Sequence, residues 1–336
     1  MVKLPLEFFE FIKQSCNRFE FLQKWLQKMD IPFSVVRIGD LNHIFVQFPS
    51  SHHSPVFYTK TVIVHYDRAL LKTSNPKEYN PGANDNSAAV YQTLLWINRL
   101  IHGSIDKKND TIKTKNTLPY NVRVIFSDGE EHAGKEAGSF GLAEYFLKNK
   151  MAGKNATIKN DIYVLDGCGR GEVLTVSTAG KFQKASRYFS TQYSTLFEKC
   201  CNLARKASSE SWVTLPVPYG DNAGFIANGI PAIMITMLPK EESTLYMRQL
   251  QKDRKFSEAV MNHSIIMHGG GVSAEGLKKL RSNGTDPAKA LLLSEKLPKT
   301  WRMMHTQFDT ADMLSEEAFS VMERFLDILA LSFMPV

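Results

Sequence analysis

Cysteine is scarce in this chain: among 336 residues there are four, Cys16, Cys168, Cys200 and Cys201, two of them adjacent and none at CxxC spacing. So low a density does not suggest a disulfide framework and fits reduced thiols in a cytosolic setting. Long apolar runs are also missing. The amino-terminal stretch interrupts its apolar residues with Glu7, Glu10, Lys13 and Arg18, so it lacks both the apolar core of a signal peptide and a membrane span. The expected location is cytoplasmic, with no membrane partner. There is no long basic block and no aromatic-basic stripe. The net charge of +7 comes from scattered Lys and Arg, a solvated basic surface that argues against a nucleic-acid partner. Neither an internal repeat nor an interdomain linker is visible, so residues 1–336 read as a single domain whose oligomeric state is left open.

With 43% hydrophobic and 22% charged residues, the chain can bury a large core. Phe8, Phe11, Ile12, Phe19, Leu22, Trp25, Leu26 and Met29 recur at helical spacing, which predicts an amphipathic helix over residues 5–29, packed on the core. Residues 33–38 and 43–48 flank a Gly-Asp-Leu-Asn turn and read as a hairpin at a sheet edge. Strand patterns then occur at 61–65, 122–127, 161–165, 173–176 and 232–237, with helical patterns at 87–101, 139–150 and 194–207 between most of them. That alternation predicts an α/β fold with a largely parallel sheet covered on both faces. A last helix is expected from Glu316 to about residue 333, with Ser315 as its N-cap. Residues 102–120 are polar and without an apolar period, the pattern of an exposed loop. Residues 239–300 are a long insertion expected to form one wall or a lid of a pocket.

Polar groups gather where the apolar strands end: His65 with Asp67, then Asp85, Glu130 with Glu131, Asp166, and His305 with Asp309. Any one of these reads as a helix cap, a solvated turn or a satisfied histidine. Together they would place several charges at the ends of core strands, where charge is costly to bury without a partner. Two divalent cations would supply that partner. The mixed nitrogen and oxygen donors favour Zn2+, with Mn2+ or Co2+ as substitutes. Two ions about 3.5–4 Å apart need a carboxylate between them. Asp85, held in a Gly82-Ala83-Asn84 turn at a helix start, is the candidate bridge, and Asp67 is the candidate acceptor that orients the His65 imidazole.

These residues also carry a family resemblance. HYD at 65–67, GANDN at 82–86, SDGEE at 127–131 followed by Gly138-Ser139, LDG at 165–167, DNAGF with GIPA at 229–232, and HTQFDT at 305–310 resemble, in order, the zinc-dependent M28 metallopeptidases. The resemblance implies a three-layer α/β/α sandwich around a mixed sheet of about eight strands, and a pair of zinc ions. By position, it implies one ion held by His65 and Asp166 and the other by Glu131 and His305, with Asp85 bridging and Glu130 as general base. It also implies a cis peptide at Asp85-Asn86. Asp221-Asn222 stands where many relatives have Asp-His, so specificity does not transfer. Asp221, Trp301 and Met304 are the candidate substrate-binding residues.

The implied function is an aminopeptidase acting on peptides with a free N-terminus. The alternative is a glutaminyl-peptide cyclotransferase, which resembles M28 peptidases but uses a single zinc. A non-catalytic interaction domain on the same scaffold is a third reading. Such a domain would have lost ligands or base, and this sequence retains both.

Overall fold

The computed structural model describes residues 2–50, 57–71, 78–103, 105–106, 111–112, 118–131, 138–181, 185–261 and 295–332. Its centre is an eight-stranded mixed sheet. The strands are β1 (Ser34–Ile38), β2 (Leu41–Phe48), β3 (Tyr58–His65), β6 (Asn121–Ser127), β7 (Lys159–Leu165), β8 (Val173–Ser177), β9 (Trp212–Leu215) and β10 (Ala232–Leu238). A separate two-residue ladder pairs β4 (Ile105–Asp106) with β5 (Thr111–Ile112) inside the segment expected to be a loop. The order across the main sheet is β1-β2-β6-β3-β7-β10-β8-β9.

The middle four strands, β6, β3, β7 and β10, run parallel. Antiparallel pairing attaches β2 on one side and β8 on the other. The carboxyl ends of the parallel strands therefore open on one edge, where ligand sites of open α/β sheets lie. His65 pairs with Ser127 in register, so the turns after β3 and β6 begin side by side.

Burial explains the strand composition. Along β3, Val62 and Val64 face one layer while Ile63 faces the other; Tyr163 and Leu165 of β7 alternate with Ile162 and Val164 in the same way. Side chains of a strand point alternately to its two faces, so a sheet covered twice needs apolar residues at every position. One face is covered by α1 (Leu6–Phe11), α2 (Arg18–Lys28), α3 (Ala88–His102), α5 (Arg187–Ala207) and α10 (Glu316–Leu331). The opposite core takes side chains from α4 (Ser139–Lys148), α6 (Asn222–Ala227), α7 (Lys240–Lys252), α8 (Arg254–Met261) and α9 (Lys299–Met303). Among the described residues no helix is long and apolar enough to cross a membrane.

Several elements differ from their sequence-based expectations. The helix expected over 5–29 is two helices, because Arg68 takes the carbonyls of Ile12, Lys13, Gln14 and Cys16 that a continuous helix would use internally, and Asn17 caps the second helix through Glu20 N. Helix α5 starts seven residues before its expected beginning, with Ser186 accepting from Phe189 N as its cap. Strand β9 was not expected at all; it is a four-residue edge strand beside β8. The lid reading of 239–300 rests in part on residues 262–294, which lie outside the described residues. The described part of that insertion packs Tyr246 edge-on against Trp301, ring centroids 5.2 Å apart.

Ser315 caps α10 as expected, and its hydroxyl also binds Gly171, accepting from N (2.9 Å) and donating to O (3.1 Å). Ser315→Ala should lower the unfolding free energy by about 1–2 kcal/mol, seen as a lower urea midpoint with unchanged m-value. An unmoved midpoint would contradict the role of this cap.

Candidate metal centre

Three of the four parallel strands, β3, β6 and β7, deliver a polar group to the site by ending. β3 stops at His65, and the chain turns there, so Asp67 comes back beside the ring it follows, Oδ1 at 3.3 Å from His65 Nδ1. The same carboxylate accepts from the backbone of Glu130 (3.3 Å) and Glu131 (3.0 Å), tying the turn after β3 to the turn after β6. An acceptor at Nδ1 sets the imidazole tautomer and leaves Nε2 to face the site.

Asp85 sits in an irregular helical turn, Ala83–Ser87, entered through Gly82 at φ +60°, where an added Cβ would lie 2.6 Å from Asp85 O. A left-handed, close-packed position of this kind requires glycine. The Asp85-Asn86 peptide is cis, as the resemblance implied. Flanking side chains stitch this turn to the loop after β7: Asn86 donates to Leu165 O (2.8 Å) and Asn84 accepts from Gly169 N (2.8 Å). Asp309 accepts from the backbone N–H groups of Asn84 (2.8 Å) and Asp85 (3.0 Å). Asp166 follows β7 and is crowded by Gly220, whose added Cβ would come 2.6 Å from its Oδ2. His305 adopts φ +61°, rare for a residue with a side chain and typical of over-determined sites.

These elements converge on three overlapping groups of potential ligands among the described residues, His65 with Asp85 and Asp166, Asp85 with Glu131 and His305, and His65 with Glu130 and Glu131; each group's donor atoms lie within 4.8 Å of one another. Asp85 is shared by the first two. Its Oδ1 is 3.2 Å from His65 Nε2 and its Oδ2 2.9 Å from His305 Nε2, while Glu131 Oε1 lies 3.0 Å from the same His305 nitrogen. His65 Nε2 is 3.7 Å from Asp166 Oδ1.

Adjacent Glu130 and Glu131 each offer an oxygen within 4.8 Å of the other and of His65, but their further surroundings differ. Glu131 turns to His305, whereas Glu130 lines a small cavity of about 50 Å3 together with Asp85, Asp166 and His305. Trp301 and Met304 form part of the apolar wall of this cavity, with Val217, Pro218 and Met234. Asp221, the third substrate candidate, does not line it. It is buried behind the site and accepts from Ser127 Oγ.

Burial works against charging His65 and His305, yet the carboxylates of Asp166, Asp67 and Asp85 beside the first, and those of Glu131 and Asp85 beside the second, hold both well above the ordinary imidazole value. Asp85 is buried too, but the two imidazoles hold it well below the carboxylate range. Burial and the charge of Glu131 push Glu130 well up; burial chiefly raises Glu131 to about 7 and Asp221 to about 6, and burial with the Asp85 charge raises Asp309 to about 7. A buried cluster this rich in carboxylate calls for cations.

The residues fit zinc on that account and on their donors. His65 Nε2, Glu131 Oε1 and Asp166 Oδ1 are buried without a hydrogen-bond partner, and mixed imidazole and carboxylate donors suit Zn2+. Asn84, Asn86 and Arg18 escaped the sequence reading. Their contribution is side-chain bonding to backbone, which leaves no periodic trace; the GANDN wording alone hinted at the two asparagines.

The profile of peptidase family M28 matches residues 49–328. No curated protein sequence matches. Among solved structures, the LapA aminopeptidase of Legionella pneumophila is similar over 98% of this chain and 70% of its own, with TM-score 0.56 and 14% identity. A glutaminyl cyclase of Fimbriiglobus ruber is similar over 99% and 98%, with TM-score 0.54 and 12% identity. A Zn-dependent exopeptidase of Parabacteroides distasonis is similar over 96% of each chain, with TM-score 0.53 and 11% identity. At these identities the likeness is one of fold.

The raised carboxyl values fix a pH dependence for the metal-free protein. Folded Glu131 and Asp309 keep protons up to about pH 7, whereas unfolded carboxyls lose them near pH 4, so stability falls as pH rises through that window. The raised imidazoles continue the loss above about pH 6.5, because the folded state alone still binds those protons. Chelator-stripped protein should therefore melt lower near pH 8 than near pH 6. Zinc should raise the melting temperature most at the higher pH, where its ligands are deprotonated. A metal-free melting temperature that rises over this interval would contradict the charge balance described.

Proposed function

Since the chain belongs to peptidase family M28, we propose that it is a zinc-dependent exopeptidase of the aminopeptidase type, acting on peptides with a free N-terminus. The observation that carries this reading is Asp85, shared by two ligand groups that each include an imidazole and a second carboxylate. In this reading His65 and Asp166 hold one zinc, Glu131 and His305 the other, and Asp85 both. Zinc in these positions supplies Lewis acidity, which polarises a peptide carbonyl and makes water a nucleophile at neutral pH.

The remaining chemistry belongs to the chain. Glu130 is the carboxylate on the cavity wall whose proton affinity burial and Glu131 have raised, which suits a group that takes a proton from water and passes it to the leaving amine. Asp67 keeps the His65 ring oriented and pins the backbone that carries Glu130. Trp301, Met304, Val217 and Met234 offer an apolar wall to the N-terminal side chain and exclude water from the reacting bond.

Cyclisation of N-terminal glutamine is the competing reading, because glutaminyl cyclases share the fold. A single ion would serve one of the two groups that share Asp85 and leave the other, with a buried unpartnered carboxylate oxygen from Glu131 or Asp166, without a cation. For that reason hydrolysis is preferred.

A panel of unblocked amino-acid arylamides and peptides, glutaminyl ones included, separates the readings. The expected result is zinc-dependent release of apolar N-terminal residues and no action on N-acetylated substrates. Glu130→Gln should keep its zinc and lose about 100- to 10,000-fold in kcat. Cyclisation of the glutaminyl peptide without release of residues would overturn the peptidase assignment. Zinc uptake with no turnover of any substrate would point to a binding domain.

A further inference from the structure

Two buried arginines join the amino-terminal helices to the loops of the metal centre. Arg18, the first residue of α2, is 5% exposed and reaches two loops at once. One terminal nitrogen donates to Tyr66 O (3.1 Å) and Asp67 O (3.0 Å), directly after His65. The other donates to Pro81 O (3.1 Å) and Ser87 Oγ (2.8 Å), on either side of the turn that carries Asp85. The guanidinium also lies 4.7 Å from the centre of the Phe11 ring. Arg68 makes the reverse connection, from the loop after β3 into the carbonyls between α1 and α2.

Burying a guanidinium is costly, and one that served only to fill space would be replaced without loss by an apolar side chain. What Arg18 offers instead is a planar fork with donors at fixed spacing. Loop 66–67 and loop 81–87 are bound to opposite ends of that fork, so the fork sets their separation. His65 and Asp85 hang from those loops, and their contact of 3.2 Å is part of the ligand arrangement. Arg18 also lies ahead of the residues that the family profile matches.

We propose that Arg18 is a positioning residue of the metal centre: it holds the His65 and Asp85 loops at the spacing zinc binding requires, and Arg68 anchors the segment that supplies it. The proposal rests on the zinc reading of the site. It makes the amino-terminal helices a working part of that site and not only a cover on the sheet.

The test compares Arg18→Lys, Arg18→Met and Arg68→Lys with Lys60→Met as a control. Lys60 is fully buried and binds Leu329 O (2.6 Å) and Ser332 O (2.7 Å) at the end of α10, with no bond to the site loops. For each chelator-stripped protein, zinc affinity is measured by competition with a chromophoric chelator, and the melting temperature is taken without metal. Arg18→Lys keeps the charge but cannot span both loops, so it should weaken zinc binding about 10- to 100-fold. Arg18→Met should weaken it at least as much, and Arg68→Lys in the same direction. Should either Arg18 variant fail to fold, Arg68→Lys carries the test. Lys60→Met should lower the melting temperature and leave zinc affinity unchanged. The proposal is overturned if the folded arginine variants bind zinc like the parent, or if affinity falls as far in Lys60→Met, since the loss would then follow overall stability. A parent protein that binds no zinc would overturn the metal reading itself, and the proposal with it.

Discussion

Everything at the carboxyl edge of the sheet depends on one buried carboxylate held between two imidazoles. Asp85 is 3% exposed, and its two oxygens face His65 and His305. Glu131, Asp166 and Glu130 crowd the same space, so the carboxylates outnumber the two imidazoles that could balance them. In a low-dielectric interior such an excess is tolerated only with cations present or protons taken up. The raised proton affinities of Glu130 and Glu131 are the proton-bound form of that balance. In the function proposed above divalent metal would be the other form, and it would leave Glu130 free to handle protons.

Holding that arrangement takes most of the surrounding architecture. Parallel strands bring His65, the Glu130-Glu131 turn and Asp166 to one edge. Asp67 ties the first two together; Asn84 and Asn86 tie the Asp85 turn to the third; Asp309 ties it to the His305 loop. Arg18 reaches the same turns from the other side of the chain's beginning. Apart from the one between Arg18 and Ser87 Oγ, these bonds join a side chain to backbone, so they fix loop positions. Conformational freedom that would otherwise weaken metal binding is removed before any metal arrives.

Much of this was legible in the sequence. Uninterrupted apolar runs such as Val62-Ile63-Val64 announced strands covered on both faces, and polar groups after each run marked the edge where they would meet. The order of the strands was not legible, because pairing depends on long-range register. Nor was the break between α1 and α2: it is imposed by Arg68, more than fifty positions away along the chain, on a segment whose own periodicity favours a continuous helix. The sequence makes Asp221 a candidate substrate-binding residue, yet its carboxylate is turned inward to Ser127. Motif wording gives the loop and not the direction of the side chain. Asn84 and Asn86 were passed over for the complementary reason, since an asparagine bonded to backbone looks like any turn residue until its partner is known.

The central claim, that Asp85 joins two metal positions into one site, is tested most directly by zinc titration of the chelator-stripped chain and of Asp85→Asn, with metal content read after gel filtration. The account predicts two zinc ions per parent chain and weakened binding at both positions together in the variant. A parent chain that saturates at one ion, or a variant that keeps one position at parental affinity, would contradict it.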